Sequence, residues 1–596
     1  MIALSRQQRQ QRLVQFRQAL HQCYQNHMYR QQQTLASPVA CTPQSNQSND
    51  ALSVGIVGGG MAGMYASMLL AKLGIHSQIF EASGERIGGR VYTHYFNNEP
   101  HQYAELGAMR FPHNELQSRL FNFWDYLNTT VSEVENAREI PRIPYILFDS
   151  NEATPDTGNL LCFNGMPPVT RTQAEADNSL LGFDPFFEGP EYAYFKDADG
   201  KLKSASVLLD LALEPFVALF ENENIEVAWA EILKYNRYSA RGYLQDVGDG
   251  VQPYPVEIVD YMETVNAYTG IYDLSFIELV LDTYSFDESP EWSAMEGGTS
   301  RIAAEMANRI PGSQFKTGTR VTTLREESDQ AYIEYNTGDG TLTESAAFDR
   351  VIVTLPFSQL RFVDTPASWS AGKYQAIRSL KMTNAVKVAL GFRTRFWEQQ
   401  GPYSQGMEGG QSNTDLASRS IVYPSFGIGE SGPAYLLSSY SWQNDADKFS
   451  HLSEAEALEA TLRDVVHLHG DIARQEYLGH GTAVVWNRQE LAGGGFEFFA
   501  AGQFEKLFVA AREPEGRFNF AGEHLDMVHY WIAGSYNAAF RTVWEILIQE
   551  GLDTQANLET LFSALGGGDI LPTMIPHFNR HSHSTLLEIQ QNLQNN

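Results

Sequence analysis

Cysteine is almost missing from this chain: Cys23, Cys41 and Cys162 are the 3 thiols in 596 residues. Three irregularly spaced cysteines build neither a disulfide framework nor a cysteine zinc site, so no metal centre is expected. Positive charge is scarce as well, with 42 Lys and Arg against 72 Asp and Glu and a formal net charge of -30. Such a balance repels phosphates, which argues against nucleic acid and weakly favours cationic ligands. Long apolar runs are also lacking. No stretch approaches the ~20 residues of a membrane helix, and the first residues have no apolar signal-peptide core. A protein without membrane contact, in the cytoplasm, is the expectation. Acids are absent before Asp50, where Arg6, Arg9, Arg12, Arg17 and Arg30 lie among glutamines. Leu13, Phe16, Leu20 and Tyr24 recur there at helical spacing, which predicts a docked amphipathic helix over about 5 to 33. The same composition is also that of a processed leader. Residues 35 to 52, rich in Ser, Pro, Gln and Asn, read as a linker.

What is present is enough apolar residue, 43% of the chain, for two or three domains. The body is organised around Val54-Gly55-Ile56-Val57-Gly58-Gly59-Gly60-Met61-Ala62-Gly63. It reads as a strand, a glycine turn and a helix start. Gly58 lets the turn close, Gly60 lets backbone approach a pyrophosphate, Gly63 lets helix and strand pack, and the helix N-terminus supplies partial positive charge. Glycine spacing alone is a weak signal. Glu81, ending the next strand where an acid can accept both ribose hydroxyls, makes a dinucleotide the expected ligand.

The continuation Ala82-Ser83-Gly84-Glu85-Arg86-Ile87-Gly88-Gly89-Arg90 resembles the flavin amine oxidase superfamily, which implies FAD. Glu105-Leu106-Gly107-Ala108-Met109-Arg110-Phe111-Pro112 is most similar to the L-amino-acid oxidases. A second motif of this superfamily lies at Phe518-Asn519-Phe520-Ala521-Gly522-Glu523-His524, followed by His529-Tyr530-Trp531-Ile532-Ala533-Gly534-Ser535 and a long helix. The resemblance places Gly58, Gly60, Met61, Ala62, Gly63, Glu81, Ala82, Gly89, Arg90 and Val321 at the FAD. Ala108, Met109, Arg110, Trp486, Gly522, Glu523, Trp531, Ile532 and Ser535 join them, with Glu523 by the ribityl and phosphate region. Since no cysteine follows Cys162, the FAD is expected to be noncovalent. Tyr530 departs from the pattern, which has a small residue more often at that position.

The same resemblance assigns substrate handling. Arg110 and Tyr440 correspond to a guanidinium and a phenol that hold an α-carboxylate, a duty suited to a planar bidentate donor. Lys387, a lone cation in an apolar strand, corresponds to a lysine that holds a water beside the flavin and assists reaction with oxygen. Trp442, Tyr530 and Trp531 are expected at the substrate, and Trp486 and Trp531 serve equally as aromatic walls or core. Asp282, ending the helical segment Leu274 to Asp282, matches a pocket-lining position; facing inward, it would favour a basic side chain, with large apolar or aromatic ones next. The implied reaction is FAD-dependent oxidation of an L-amino acid to an imino acid, hydrolysed to a 2-oxo acid and ammonia, with hydrogen peroxide formed from oxygen. The alternatives are an amine or polyamine oxidase and a decarboxylating amino-acid 2-monooxygenase.

The fold expected is α/β, with a Rossmann-like FAD domain of the glutathione-reductase type, a mixed-sheet substrate domain and a helical insertion. The FAD domain is read over 53–91, 293–365 and 504–552, the substrate domain over 92–169 and 366–503, and the helical domain over 170–292. Residues 1–52 and 553–596 are extensions, and a homodimer is expected. Phe216 to Tyr235 and Val256 to Tyr284 are the clearest predicted helices. The strands Thr319 to Leu324, Ala331 to Tyr335 and Arg350 to Thr354 are expected to return to the first sheet. A second glycine fingerprint, Gly427 to Gly432, precedes Pro433 and a strand-like run where a helix would be required, so it reads as a hairpin turn and not as a second dinucleotide site.

Overall fold

A computed structural model describes residues 52–150, 153–222, 232–286, 291–337, 340, 342–526 and 528–568. The predicted N-terminal helix and linker, Cys23 and Cys41, and most of the C-terminal extension lie outside them.

Five parallel strands form the first sheet, in the order Phe315–Thr317, His76–Glu81, Ser53–Val57, Arg350–Val353, Phe518–Phe520. Their sequences are short apolar runs because both faces of the sheet are covered. Ile56 aligns with Ile79 on one side and Ile352 on the other, and all three are fully buried. The helix Met61–Lys72 covers one face, and every residue from Met61 to Leu70 is buried. It is apolar all round because it is enclosed between the sheet and the helix Ile532–Gln549; Tyr65 stacks on Tyr536 at 4.4 Å.

Of the strands expected to return to this sheet, Arg350–Val353 does so. Thr319–Glu327 and Gln330–Thr337 instead join Leu342–Phe348 in a separate antiparallel sheet. The short strand Phe315–Thr317 extends the parallel sheet just before the chain turns away at Gly318.

A seven-stranded sheet forms the second layer, in the order Tyr477–Val485, Ala385–Phe392, Ala434–Trp442, Ser420–Val422, Gln411–Thr414, Leu160–Cys162, Val169–Thr170. Its last two strands come from residues 149 to 200, a Gly, Pro and Asp-rich stretch whose sequence breaks the helical periodicity around it. Register is decisive in its centre: Lys387 pairs directly with Tyr440. The connection from Val422 to Ala434, holding Gly427 to Gly432, joins two antiparallel strands.

The helical segment differs from its predicted bounds. One helix runs Ala205–Asn222, so its apolar stripe of Leu208, Leu209, Ala212 and Phe216 begins well before Phe216. The run Val256 to Tyr284 is two helices, Val256–Val265 and Phe276–Phe286. Positive φ at Ala267, Thr269 and Gly270 interrupts the helical hydrogen bonds between them. Thr269 there accepts a hydrogen bond from Trp442 N–H at 2.9 Å, docking the break onto the second sheet. Among the described residues no helix is long and apolar enough to cross a membrane.

Candidate active site

The carboxyl ends of the parallel strands open on a cavity of about 490 Å³, the place where open α/β sheets take their ligands. The three fingerprint glycines meet different demands there. Gly58 has φ 109°, a conformation that favours glycine. A Cβ on Gly63 would sit 2.1 Å from Gly58 O, so this glycine permits helix and strand to touch. A Cβ on Gly60 would meet nothing within 4 Å and would project into open space beside the backbone. The helix Met61–Lys72 begins at Gly60 with no side-chain cap, and the helix Ile532–Gln549 begins at Trp531 with none either. Both helix starts line the same cavity, leaving first-turn N–H groups available to an anion or carbonyl.

Glu81 is oriented by two backbone donors, Gly59 N–H and Ser83 N–H, each at 2.7 Å. Each carboxylate oxygen retains a second lone pair for a ligand hydroxyl. Across the cavity Arg90 pairs with Glu523 at 2.5 Å and donates to Gly495 O at 3.2 Å. Arg90, expected at the FAD, thus has a carboxylate partner of its own. A long cleft with two uncapped helix starts, an open glycine and an oriented acid fits a dinucleotide with a central diphosphate. No cysteine of the described residues lines it; Cys162 is buried in the second sheet.

A smaller cavity of about 60 Å³ shares walls with the first. Gly107, Ala108, Lys387, Tyr440, Tyr530 and Trp531 line both, while Met109, Arg110 and Trp442 belong to the smaller alone of these two. Arg110 is 8% exposed. Its guanidinium lies 5.8 Å from the Trp292 ring and 6.0 Å from those of Tyr145 and Tyr440. Lys387 Nζ donates to Gly107 O at 2.6 Å and stands 4.5 Å over the Tyr440 ring, as their cross-strand pairing requires.

Burial dominates the titration of these groups. It lowers the Lys387 pKa, with Glu105 acting in the opposite sense and Arg110 reinforcing it. Burial raises the Glu105 pKa against hydrogen bonds from Thr299 N–H, Thr93 and Thr299 hydroxyls and the charge of Lys387. Tyr440 is pushed up to about 12 by burial, so its phenol stays a donor at neutral pH.

Of the residues expected at a cofactor, Gly58, Gly60, Met61, Ala62, Glu81, Ala82, Gly89, Arg90, Ala108, Val321, Trp486, Gly522, Glu523, Trp531, Ile532 and Ser535 line the long cavity. Gly63 stands behind it as packing, and Met109 and Arg110 face the smaller space, because the chain turns from one cavity to the other at Ala108. Trp486 is oriented by its Nε1–H to Leu106 O at 3.0 Å. Asp282 is 2% exposed and close enough to raise the Tyr440 pKa, but it lines neither cavity. The carboxylate expected there is thus buried within electrostatic reach of Tyr440 but is not part of either wall.

Sequence reasoning missed Thr354, Phe496, Phe498 and the partner role of Glu105. Thr354 follows a parallel strand, donates to Val57 O at 2.8 Å and lines the long cavity. The rule that ligands sit at such strand ends would have found it. Phe496 and Phe498 alternate after three glycines, so one strand face could have been assigned to them.

Residues 61–547 match the flavin containing amine oxidoreductase family. A Dictyostelium discoideum protein named provisionally as a bifunctional amine oxidase is 37% identical over 528 residues, covering 84% of this chain. This chain spans 47% of that relative's length. L-amino-acid oxidase 4 of Hebeloma cylindrosporum is 28% identical over 539 residues, covering 83% of this chain and 81% of its own. Among solved structures, cyclohexylamine oxidase from Brevibacterium oxydans shares the fold, with a TM-score of 0.60 at 17% identity over 84% of this chain and all of that one. With the family match spanning most of its length, and a cavity shaped for a dinucleotide at the matching motifs, this chain belongs to the flavin-containing amine oxidoreductases.

Proposed function

We propose that this protein oxidises L-amino acids, with FAD as cofactor and oxygen as acceptor, to 2-oxo acids, ammonia and hydrogen peroxide. The observation that carries this reading is the buried Arg110, which lines a small aromatic-walled space that adjoins the dinucleotide cavity. An amine has no use for a guanidinium there, whereas an α-carboxylate takes it through two parallel N–H donors. The relatives named L-amino-acid oxidases support the same reading.

The FAD, when bound, supplies the two-electron acceptor for the C–H bond at the α-carbon. Glu81 would hold its ribose hydroxyls, the uncapped start of Met61–Lys72 its diphosphate, and the start of Ile532–Gln549 its ring carbonyl end. Arg110 binds and orients the carboxylate, and the Tyr440 hydroxyl adds a donor. Lys387, its charged form disfavoured by burial, stands where both cavities meet and is placed to hold a proton or a water by its Nζ. Trp442, Phe496, Phe498 and Trp531 exclude bulk solvent, which strengthens each of these polar contacts.

Among the described residues no carboxylate lines the smaller cavity, while Arg110 and Lys387 both do. A cationic side chain would have no counter-charge at that wall. Neutral side chains are the substrate class this favours over the basic ones expected from Asp282.

A second reading, oxidation of a simple amine, is favoured by the name of the 37% identical relative. Peroxide release by the purified yellow protein, screened over L-amino acids, their D-enantiomers and the matching decarboxylated amines, decides between them. Activity confined to the amines would overturn the amino-acid reading.

A further inference from the structure

Tyr530 has φ 54°, in the left-handed region where a residue with a Cβ is strained. What holds it there is visible. Its N–H donates to Glu523 Oε2 at 2.9 Å, while the other oxygen of that carboxylate takes Arg90. The preceding His529 is pinned to the buried Glu278 at 3.2 Å. A glycine would make the same backbone hydrogen bond without the conformational cost. The backbone therefore gives no reason for a tyrosine here, and the ring has to be explained by its surroundings.

That ring stacks on Phe498 with centroids 4.7 Å apart and planes 27° from parallel. It meets Phe496 at 6.1 Å and Trp531 at 5.5 Å. Phe498 is a wall of the smaller cavity, and Phe496, Tyr530 and Trp531 are walls of both. A space of about 60 Å³ takes about two waters at their liquid share of ~30 Å³, so little of a substrate beyond its carboxylate fits there without meeting these rings. Any longer side chain has to find its room against these rings.

We infer that Tyr530 is a specificity-determining residue whose ring, locked by the Phe498 stack and the Glu523 hydrogen bond, limits the substrate to a short neutral side chain. The bulk of the ring does this, not its hydroxyl. The inference rests on the reading of Arg110 as carboxylate partner, since that contact fixes which end of the substrate reaches the wall.

The test compares wild type with Tyr530→Gly, Tyr530→Asn and Tyr530→Phe, all as FAD-loaded protein. Asparagine is included because it tolerates the left-handed region and is smaller than tyrosine, so a small wall can be examined even where glycine loosens the loop. Binding is read from thermal shift and from flavin absorbance on titration with acetate, benzoate and 2-naphthoate. Turnover is read as kcat/KM for L-alanine, L-leucine and L-tryptophan. Wild type should favour the short members of both series. Glycine and asparagine variants should shift the large-to-small ratio by at least ~10-fold in binding and in kcat/KM, and the phenylalanine variant by less than ~2-fold. An unchanged ratio in both small variants, or an equal shift in the phenylalanine variant, overturns the inference. Failure of the underlying reading looks different: wild type then ignores amino acids and oxidises amines, and the same size comparison, run with ethylamine, 3-methylbutylamine and tryptamine, still decides the role of Tyr530.

Discussion

Replacing Arg110 by alanine removes the one guanidinium that, among the described residues, lines the smaller cavity. A substrate carboxylate held bidentately makes two charge-assisted hydrogen bonds, each worth roughly 1.5–3 kcal/mol. Together these amount to about 3–6 kcal/mol, and at about 1.4 kcal/mol per decade the loss in kcat/KM spans ~10² to ~10⁴. Two features of the site decide where in that span it falls. Arg110 is 8% exposed behind the rings of Trp292, Tyr145 and Tyr440, so bulk water competes poorly and the contact is strong. Tyr440 and Lys387 line the same space and would retain part of the carboxylate's stabilisation in the variant. The expected fall is therefore about 10³ in kcat/KM for the best L-amino acid. Arg110→Lys should recover about one decade, because it restores the charge without the planar fork. The assay is initial peroxide release, with FAD content checked by absorbance in each variant. The matching amine serves as internal control, since it has no carboxylate to lose. Unchanged amino-acid kinetics, or an equal loss on the amine, would refute the carboxylate contact and move the protein to the amine oxidases.

Gly60→Val places a branched side chain in the open space beside the cofactor cavity, and Glu81→Ala removes the oriented acid. Both should yield folded protein with less than about a tenth of the wild-type flavin absorbance, the loss expected from ~1.4 kcal/mol or more of binding energy. Flavin that stays with wild-type protein after acid precipitation would show a covalent bond instead. Lys387→Met should slow the return of yellow colour, when substrate-bleached enzyme is mixed with oxygen, by at least ~100-fold. An unchanged return would remove Lys387 from the oxygen reaction. His469 titrates at about 4 through burial, and its Nε2 lies 2.7 Å from the Tyr423 hydroxyl. Its folded pKa is depressed below the ordinary ~6.5, so the unfolded chain takes up this proton first as pH falls. The neutral folded form is thus fully favoured above pH ~6.5, and up to about 3 kcal/mol of stability is lost as pH falls from there toward 4. His469→Gln should flatten the dependence of melting temperature on pH across that window. A slope identical to wild type would assign the acid lability to other groups.

Local patterns were sufficient for the dinucleotide half of the molecule. Val54 to Gly63 combines a buried strand, a turn needing positive φ and a helix start within ten residues, so its physics is complete in the local chain. Glu81 and the Gly522-Glu523 pair are legible for the same reason: each ends a short apolar strand of one parallel sheet, and such ends converge. The helical segment was less legible, because a continuous apolar periodicity over Val256 to Tyr284 says nothing of the turn at Ala267 to Gly270, which is stabilised by Thr269 docking on Trp442. The small cavity lies furthest from local reading. Arg110 is hundreds of residues from Lys387 and Tyr440 in sequence, and only the register of Ala385–Phe392 against Ala434–Trp442 sets Lys387 beside Tyr440. Asp282 shows the same limit from the other side: its charge and helix are local facts, but the direction in which that helix faces depends on distant contacts such as Phe276 on Tyr243 and Glu278 on Phe499 N–H and His529. Residue chemistry and short-range spacing determine the strands, turns and cofactor class. Which charges share a desolvated space is decided by long-range strand pairing and helix docking, whose energies are spread over contacts that no single stretch of sequence contains.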